Sequence, residues 1–331
     1  MNLRDELSSY QNNNISPFFD KQVSTGIKGI AAVMIMLGHF MSGAPWYLSM
    51  LFPGQCWVGI FFFYSGFGLQ IKIKEQLFDE KYLLRKIKSI LIPFWVAETI
   101  YTISYILLEE GGQSLSNILL GCIGIRLYNT SLWYVIEIFV LYIVFFAVNR
   151  LRLSSIIWVL FYFLWLIIAV ILDSGTWWYI STSTFILGIF SANMCTYSNK
   201  NIYNKKSLEM VICTVFCILY VLKQTIQYQL VSVSFIRIGY ILTALDLVII
   251  PLFVIVIVIL SKKIKEALCM HVCVVLGRSS YHIYLCHMFV YLWVNALVDN
   301  FIIGVMVSVS LTLTMSMGMY YWKNIKFRSK I

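Results

Sequence analysis

The sequence predicts an all-α integral membrane protein, a polytopic bundle of about ten transmembrane helices with both termini in the cytoplasm. Three observations carry this. The 331 residues are 60% hydrophobic and 12% charged, with a mean hydropathy of +0.82, whereas a soluble chain carries roughly twice that share of charge. Ten apolar runs are long enough to cross a bilayer, which takes about 17–25 residues. Lysines and arginines gather in every second gap between those runs, the asymmetry expected of a multi-span protein whose basic loops stay inside.

In chain order the runs cover 24–43, 51–71, 89–108, 131–149, 154–172, 177–195, 207–223, 239–260, 272–296 and 302–322. Arg4, Lys21 and Lys28 accompany the first. Lys72, Lys74, Lys81, Arg85, Lys86 and Lys88 separate the second from the third, and Arg150 and Arg152 separate the fourth from the fifth. Lys200, Lys205 and Lys206 follow the sixth, Lys262, Lys263 and Lys265 the eighth, and Lys323, Lys326, Arg328 and Lys330 the tenth. On this reading 21 of the 25 basic residues lie on one side. Arg126, Lys223 and Arg237 remain on the other, and Arg278 falls within a run. The net charge of +10 then reflects topology and attraction to anionic membrane lipid, and nucleic acid is not an expected partner.

The chain reads as one domain over 1–331, with a polar cytoplasmic segment at 1–22 and a basic cytoplasmic tail at 323–331. No small-residue cleavage pattern follows the first run, so that run is expected to serve as its own insertion signal. The longest polar interruptions, 72–88, 109–130 and 224–238, leave no room for a second soluble domain. The middle one holds Gly111, Gly112, Gly121 and Gly124 around an apolar patch, Ile118 to Ile125, which suits an interfacial helix or a re-entrant segment. Cys56, Cys122, Cys195, Cys213, Cys217, Cys269, Cys273 and Cys286 form no CxxC pair. They are expected to be buried small hydrophobes, with neither disulfides nor a metal site.

Four constellations bear on chemistry. His39 is the only ionisable group, tyrosine and cysteine apart, between Lys28 and Lys72. Eleven residues of helix place Lys28 and His39 on one face, about 16 Å apart along the axis. The pair reads either as a snorkelling lysine with a histidine that joins two helices, or as a surface cation and an interior base touching one long ligand. Phe61-Phe62-Phe63-Tyr64-Ser65-Gly66-Phe67 offers a small-residue notch at Ser65-Gly66, which helix packing alone would explain.

The third constellation is Lys81-Tyr82-Leu83-Leu84-Arg85-Lys86-Ile87-Lys88, with Pro93 beyond it. It is either plain positive-inside charge or a phosphate clamp in which Arg85 and Lys88 sit one turn apart. The fourth is Gly277-Arg278-Ser279-Ser280-Tyr281-His282-Ile283-Tyr284-Leu285-Cys286-His287. Helical spacing puts Arg278, Tyr281, Tyr284 and His287 in one stripe, as a hydrogen-bond network between helices or as the lining of a cavity. Glu98, Glu137 and Asp246 are further acids within apolar runs, any of which suits orientation of His39.

Taken together, the Lys28-x10-His39 pair, the Phe-Phe-x-x-Ser-Gly-Phe segment, the basic run before Pro93, Ser131-Leu132-Trp133-Tyr134 and the Ser280 to His287 segment resemble the membrane-bound acyltransferase-3 family, the bacterial surface-glycan O-acyltransferases. They occur in the family's order across 26–287. The resemblance implies an acyl-CoA donor on the cytoplasmic side, a carbohydrate hydroxyl as acceptor, and a bacterial inner or plasma membrane location. It maps His39 onto the family's catalytic histidine, Lys28 onto its basic partner, and Arg85 and Lys88 onto its basic pair. Two positions depart from the commoner arginine, at 28 and 88, and lysine there keeps charge while losing bidentate geometry.

The expected activity is transfer of an acyl group, acetyl from acetyl-CoA foremost, to a hydroxyl of a cell-surface polysaccharide or its lipid-linked precursor. Acetyl-CoA is a co-substrate, and no bound cofactor or metal is expected. His39 is the expected base, Lys28, Arg85 and Lys88 the donor-phosphate ligands. Ser65, Glu137, Arg278, Ser280, Tyr281 and His287 are the candidates for oxyanion, acceptor or supporting contacts. Two other readings stay open at this stage, a glycan-lipid transporter or flippase and a non-catalytic subunit of a glycan-assembly complex, as do homo-oligomers and assembly partners.

Overall fold

The computed structural model describes residues 20–76, 81–108, 114–172, 175–197, 206–229, 236–265 and 269–328. The polar segment up to residue 19, with Arg4, lies outside the described residues, as do Lys200, Lys205 and the end of the basic tail. Every regular element among the described residues is helical. α1 (Lys21–Phe40) is capped by Asp20, whose carboxylate accepts from the Gln22 N–H at 2.8 Å. α2 (Gly54–Lys74) starts behind Pro53. α3 (Tyr82–Leu108) contains a π turn at Ile87–Leu91 just ahead of Pro93, where the missing proline N–H and the ring disturb the helical ladder.

A short helix α4 (Leu115–Cys122) follows, capped by Ser114, then α5 (Trp133–Arg150), α6 (Ile156–Ile171) and α7 (Thr182–Tyr197). The chain ends in four long helices, α8 (Lys206–Gln229), α9 (Ile236–Lys265), α10 (Met270–Leu297) and α11 (Phe301–Arg328). Each of the ten apolar runs therefore has its helix. Among the described residues, seven helical stretches are long and apolar enough to cross a membrane. α6 is apolar but only 16 residues long, α7 has the same length, and α10 carries His271, Arg278, Ser280, His282 and His287.

Several boundaries differ from the sequence reading. The interruption expected at 224–238 is helical at both ends, because Lys223 to Gln229 consists mostly of residues that tolerate helix and α9 begins at Ile236. Trp177 and Trp178 form a 3-10 turn ahead of α7. α4 exposes Leu115, Leu119 and Leu120 along it, and Ile123 and Ile125 follow exposed beyond it. Cys56, Cys122, Cys213, Cys217, Cys269, Cys273 and Cys286 are free thiols, and of these Cys56 and Cys286 are buried while Cys217 and Cys269 are exposed. Cys217 lies on α8, which packs mainly against α9.

The most extensive packing is between α1 and α10, and glycine permits it. A Cβ on Gly29 would collide with the Cys273 carbonyl and the Gly277 backbone, and one on Gly277 with the Thr25 carbonyl. Gly29 thus lies opposite Cys273 to Gly277 while His39 lies opposite His287, so the two helices run parallel. α2 and α7 form a second parallel pair. The Thr184 hydroxyl donates to the Gly59 carbonyl at 2.9 Å, and Gln70 donates to Asn193 at 3.0 Å. Gly66 abuts the Phe185 backbone between them, so the Ser65-Gly66 notch does admit another helix.

Candidate active site

α1 and α2 enclose two cavities that follow one another along the helix axis. An inner cavity of about 270 Å³ has Lys28, Tyr134, Tyr142, Ser280 and Tyr281 in its wall. An outer cavity of about 190 Å³ is walled by His39, Gln55, Ser131 and Trp133. Ile35, Val58 and Tyr284 belong to both walls. Lys28, Ile35 and His39 are spaced by seven and four residues, so one stripe of α1 serves both chambers.

At the Lys28 end the surroundings are basic. Lys86 and Lys21 are near enough to Lys28 for their charges to repel, and Lys72 feels Lys86, Arg85 and Lys21 in the same way. Aromatic faces hold part of this charge. Lys86 Nζ lies 5.0 Å from the Tyr142 ring centroid and 5.4 Å from that of Tyr82, and Lys28 Nζ lies 6.0 Å from that of Tyr64. No carboxylate among the described residues pairs with Lys28 or Lys86. Lys28 and Lys86, like charges side by side with no carboxylate partner among the described residues, are suited to an anion.

Lys86 is the member that sequence spacing missed. Lys88 is exposed and Arg85 is exposed beside the cluster, and the π turn begins at Ile87, between Lys86 and Lys88, which lie about 200° apart around a helix. The same turn gives Tyr281 its place: its hydroxyl donates to the Ile90 carbonyl at 2.7 Å.

At the other end His39 packs against His287, with ring centroids 5.1 Å apart and planes tilted by 37°. Nδ1 of His287 lies 2.7 Å from the Tyr284 carbonyl. A carbonyl can only accept, so that nitrogen carries the proton and Nε2 presents a lone pair. His287 is fully buried, and Nε2 has no hydrogen-bond partner. α1 ends directly after His39, whose carbonyl accepts from the Ser42 hydroxyl at 2.7 Å.

None of the three acids reaches His39. Glu98 accepts from the Tyr128 and Asn129 N–H groups at 2.7 and 3.3 Å, Asp246 pairs with Lys223 at 2.6 Å, and buried Glu137 accepts from the Thr182 hydroxyl. Among the described residues no hydrogen bond joins any of the three acids to His39, and the ring beside it is that of a second histidine. Ser65 accepts from the Tyr142 hydroxyl at 3.3 Å at the side of the inner cavity. Arg278 points away: it is exposed and lines neither cavity, although Tyr281 and Tyr284 of the same stripe face inward.

Ser280 opens into the inner cavity, whereas the Tyr281 hydroxyl is already engaged. Gln55 is a site residue that no motif announced. Its carbonyl oxygen accepts from Ser181 at 3.4 Å, which leaves its amide N–H groups beside His39's chamber. Tyr284 closes the site from α10, donating its hydroxyl to the Ser131 carbonyl and standing edge-on to Tyr134 at 5.5 Å.

A chamber with a base at one end and a cationic mouth at the other suits transfer of a group carried on an anionic donor. No curated protein and no solved structure matches the chain. A family model described as an acyltransferase domain matches residues 24–321. With nearly its whole length matched, the chain belongs to the acyltransferase-3 family and is a membrane acyltransferase.

Proposed function

We propose that the protein transfers an acyl group from acyl-CoA, acetyl-CoA foremost, to a hydroxyl of a cell-surface polysaccharide or its lipid-linked precursor. The observation that carries this reading is the succession of basic mouth, inner cavity, shared wall and outer cavity along one face of α1. The nucleotide phosphates of CoA suit the Lys28 and Lys86 end, with Arg85 at its rim. The pantetheine arm is long, thin and uncharged, and the inner cavity, walled by apolar side chains, tyrosines and Ser280, suits it. It delivers the thioester to the wall between the chambers, within reach of His39.

In the transfer, the acceptor oxygen attacks the thioester carbonyl. A C–O bond forms, the C–S bond breaks, the hydroxyl proton passes to His39, and CoA leaves as a thiolate that then takes up a proton. General-base help of this kind contributes roughly 10²- to 10⁴-fold in rate. Ser280 or the Gln55 amide is placed to donate to the developing oxyanion.

The reading includes ten crossings with both termini in the cytoplasm of a bacterium. Parallel pairing requires an odd number of crossings between the partners. Four helices, α3 to α6, lie between α2 and α7, and eight between α1 and α10; leaving out the short α4 gives three and seven. The test is protein reconstituted in nanodiscs with acetyl-CoA and a bacterial envelope glycan fraction. Thiol release that depends on added glycan, with ester-linked label in the glycan, supports the reading. Label in neither glycan nor glycan-lipid contradicts it.

A further inference from the structure

Resting on that reading, we infer that Ile35, Val58 and Tyr284 form a neck that limits the donor to short acyl groups. These three residues are the ones shared by the two cavities. Ile35 is one helical turn before His39, so whatever passes from the Lys28 chamber to the histidine passes this side chain. Ile35 and Val58 are buried, at 2% and 6% exposure.

Tyr284 cannot swing aside at low cost. Its hydroxyl is held by the Ser131 carbonyl and its ring stands edge-on to Tyr134 at 5.5 Å. Opening the neck through Tyr284 therefore breaks that hydrogen bond and that ring contact.

The volumes give the neck its consequence. The outer cavity, about 190 Å³, is smaller than the roughly 300–1,000 Å³ of a single small-molecule site. It has to admit both the acceptor group and whatever part of the acyl chain lies beyond the thioester. Acetyl leaves most of that space to the acceptor, and each added methylene removes some. The inner cavity gives no relief, because the pantetheine arm fills it from the other side. Closely fitting hydrophobic walls discriminate by roughly 10- to 200-fold per methylene.

The experiment is a competition among acetyl-, propionyl-, butyryl- and hexanoyl-CoA for the same envelope glycan fraction. It is run with the wild type and with Ile35→Ala and Val58→Ala, and the product ester is identified by mass. The wild type is expected to decline at least tenfold from acetyl to butyryl, and either variant to raise the butyryl-to-acetyl ratio by about tenfold. A ratio taken within one preparation does not depend on how much of a variant folds. A flat wild-type profile overturns the neck outright, as does an active variant of either position with the wild-type ratio. Absence of transfer from every acyl-CoA would instead remove the donor assignment on which the neck rests.

Discussion

His39 of α1 and His287 of α10 stand ring to ring with centroids 5.1 Å apart, and His287 Nε2 has no partner of its own. Because Nδ1 of His287 is committed to the Tyr284 carbonyl, the lone pair on Nε2 is available to hold a proton that His39 or the acceptor hydroxyl presents. In the proposed mechanism a histidine takes the orienting position that a carboxylate fills in many base-catalysed sites, and it adds no negative charge to a buried chamber.

His287→Phe keeps an apolar ring and removes the lone pair. The variant is expected to lower kcat by roughly tenfold, the worth of about one hydrogen bond at the transition state, with little change in the KM for acyl-CoA. Steady-state kinetics on both substrates checks this. A purely structural role would instead lower the amount of active protein and leave kcat per active site alone.

The inner mouth makes a discriminating prediction. Lys86 is half-buried between the Tyr82 and Tyr142 rings and close to Lys28, whereas Lys88 is exposed. Lys86→Gln is expected to raise the KM for acyl-CoA by roughly 10- to 100-fold, on the scale of a charged hydrogen bond. Lys88→Gln is expected to raise it less than about fivefold, because an exposed charge contributes roughly 1 kcal/mol or less. Equal effects would place the donor phosphates elsewhere.

Gly277 is a point of close approach between α1 and α10. Gly277→Val forces the Thr25 backbone away and is expected to cost about 1–3 kcal/mol or more through overpacking. Thermal unfolding in detergent should show a lower midpoint, accompanied by loss of activity as His287 moves from His39. An unchanged midpoint would mean that the helices do not meet there.

Much of this was legible from residues alone. Composition and the ten apolar runs foretold the helices, and the spacing of Lys28 and His39 foretold their common face. The rest depended on features that spacing does not encode. Which face of the basic run turns inward placed Lys86 in the cluster and left Lys88 exposed. Arg278 shares a nominal stripe with Tyr281, Tyr284 and His287, yet helical periodicity is too coarse to say which edge of a stripe meets the outside. Gln55 lies in the first turn of α2, where its type and position carry no signal until Ser181 and His39 are seen beside it.

Topology can be checked apart from chemistry. A reporter fused after Lys265, at the end of α9, is expected to read cytoplasmic, and one inserted next to Arg126 to read on the opposite face. An outer-face signal after Lys265 would break the parity that the parallel pairs α1/α10 and α2/α7 support, and with it the assignment of Lys28 to the cytoplasmic half.

The central claim is that His39 takes the acceptor's proton during acyl transfer. Its most direct measurement is the initial rate of label transfer from acetyl-CoA to the envelope glycan fraction by wild-type and His39→Ala protein in nanodiscs, normalised to folded protein. The account predicts a fall of roughly 10²- to 10⁴-fold with acetyl-CoA binding retained. Label transfer at the wild-type rate in the variant would contradict it.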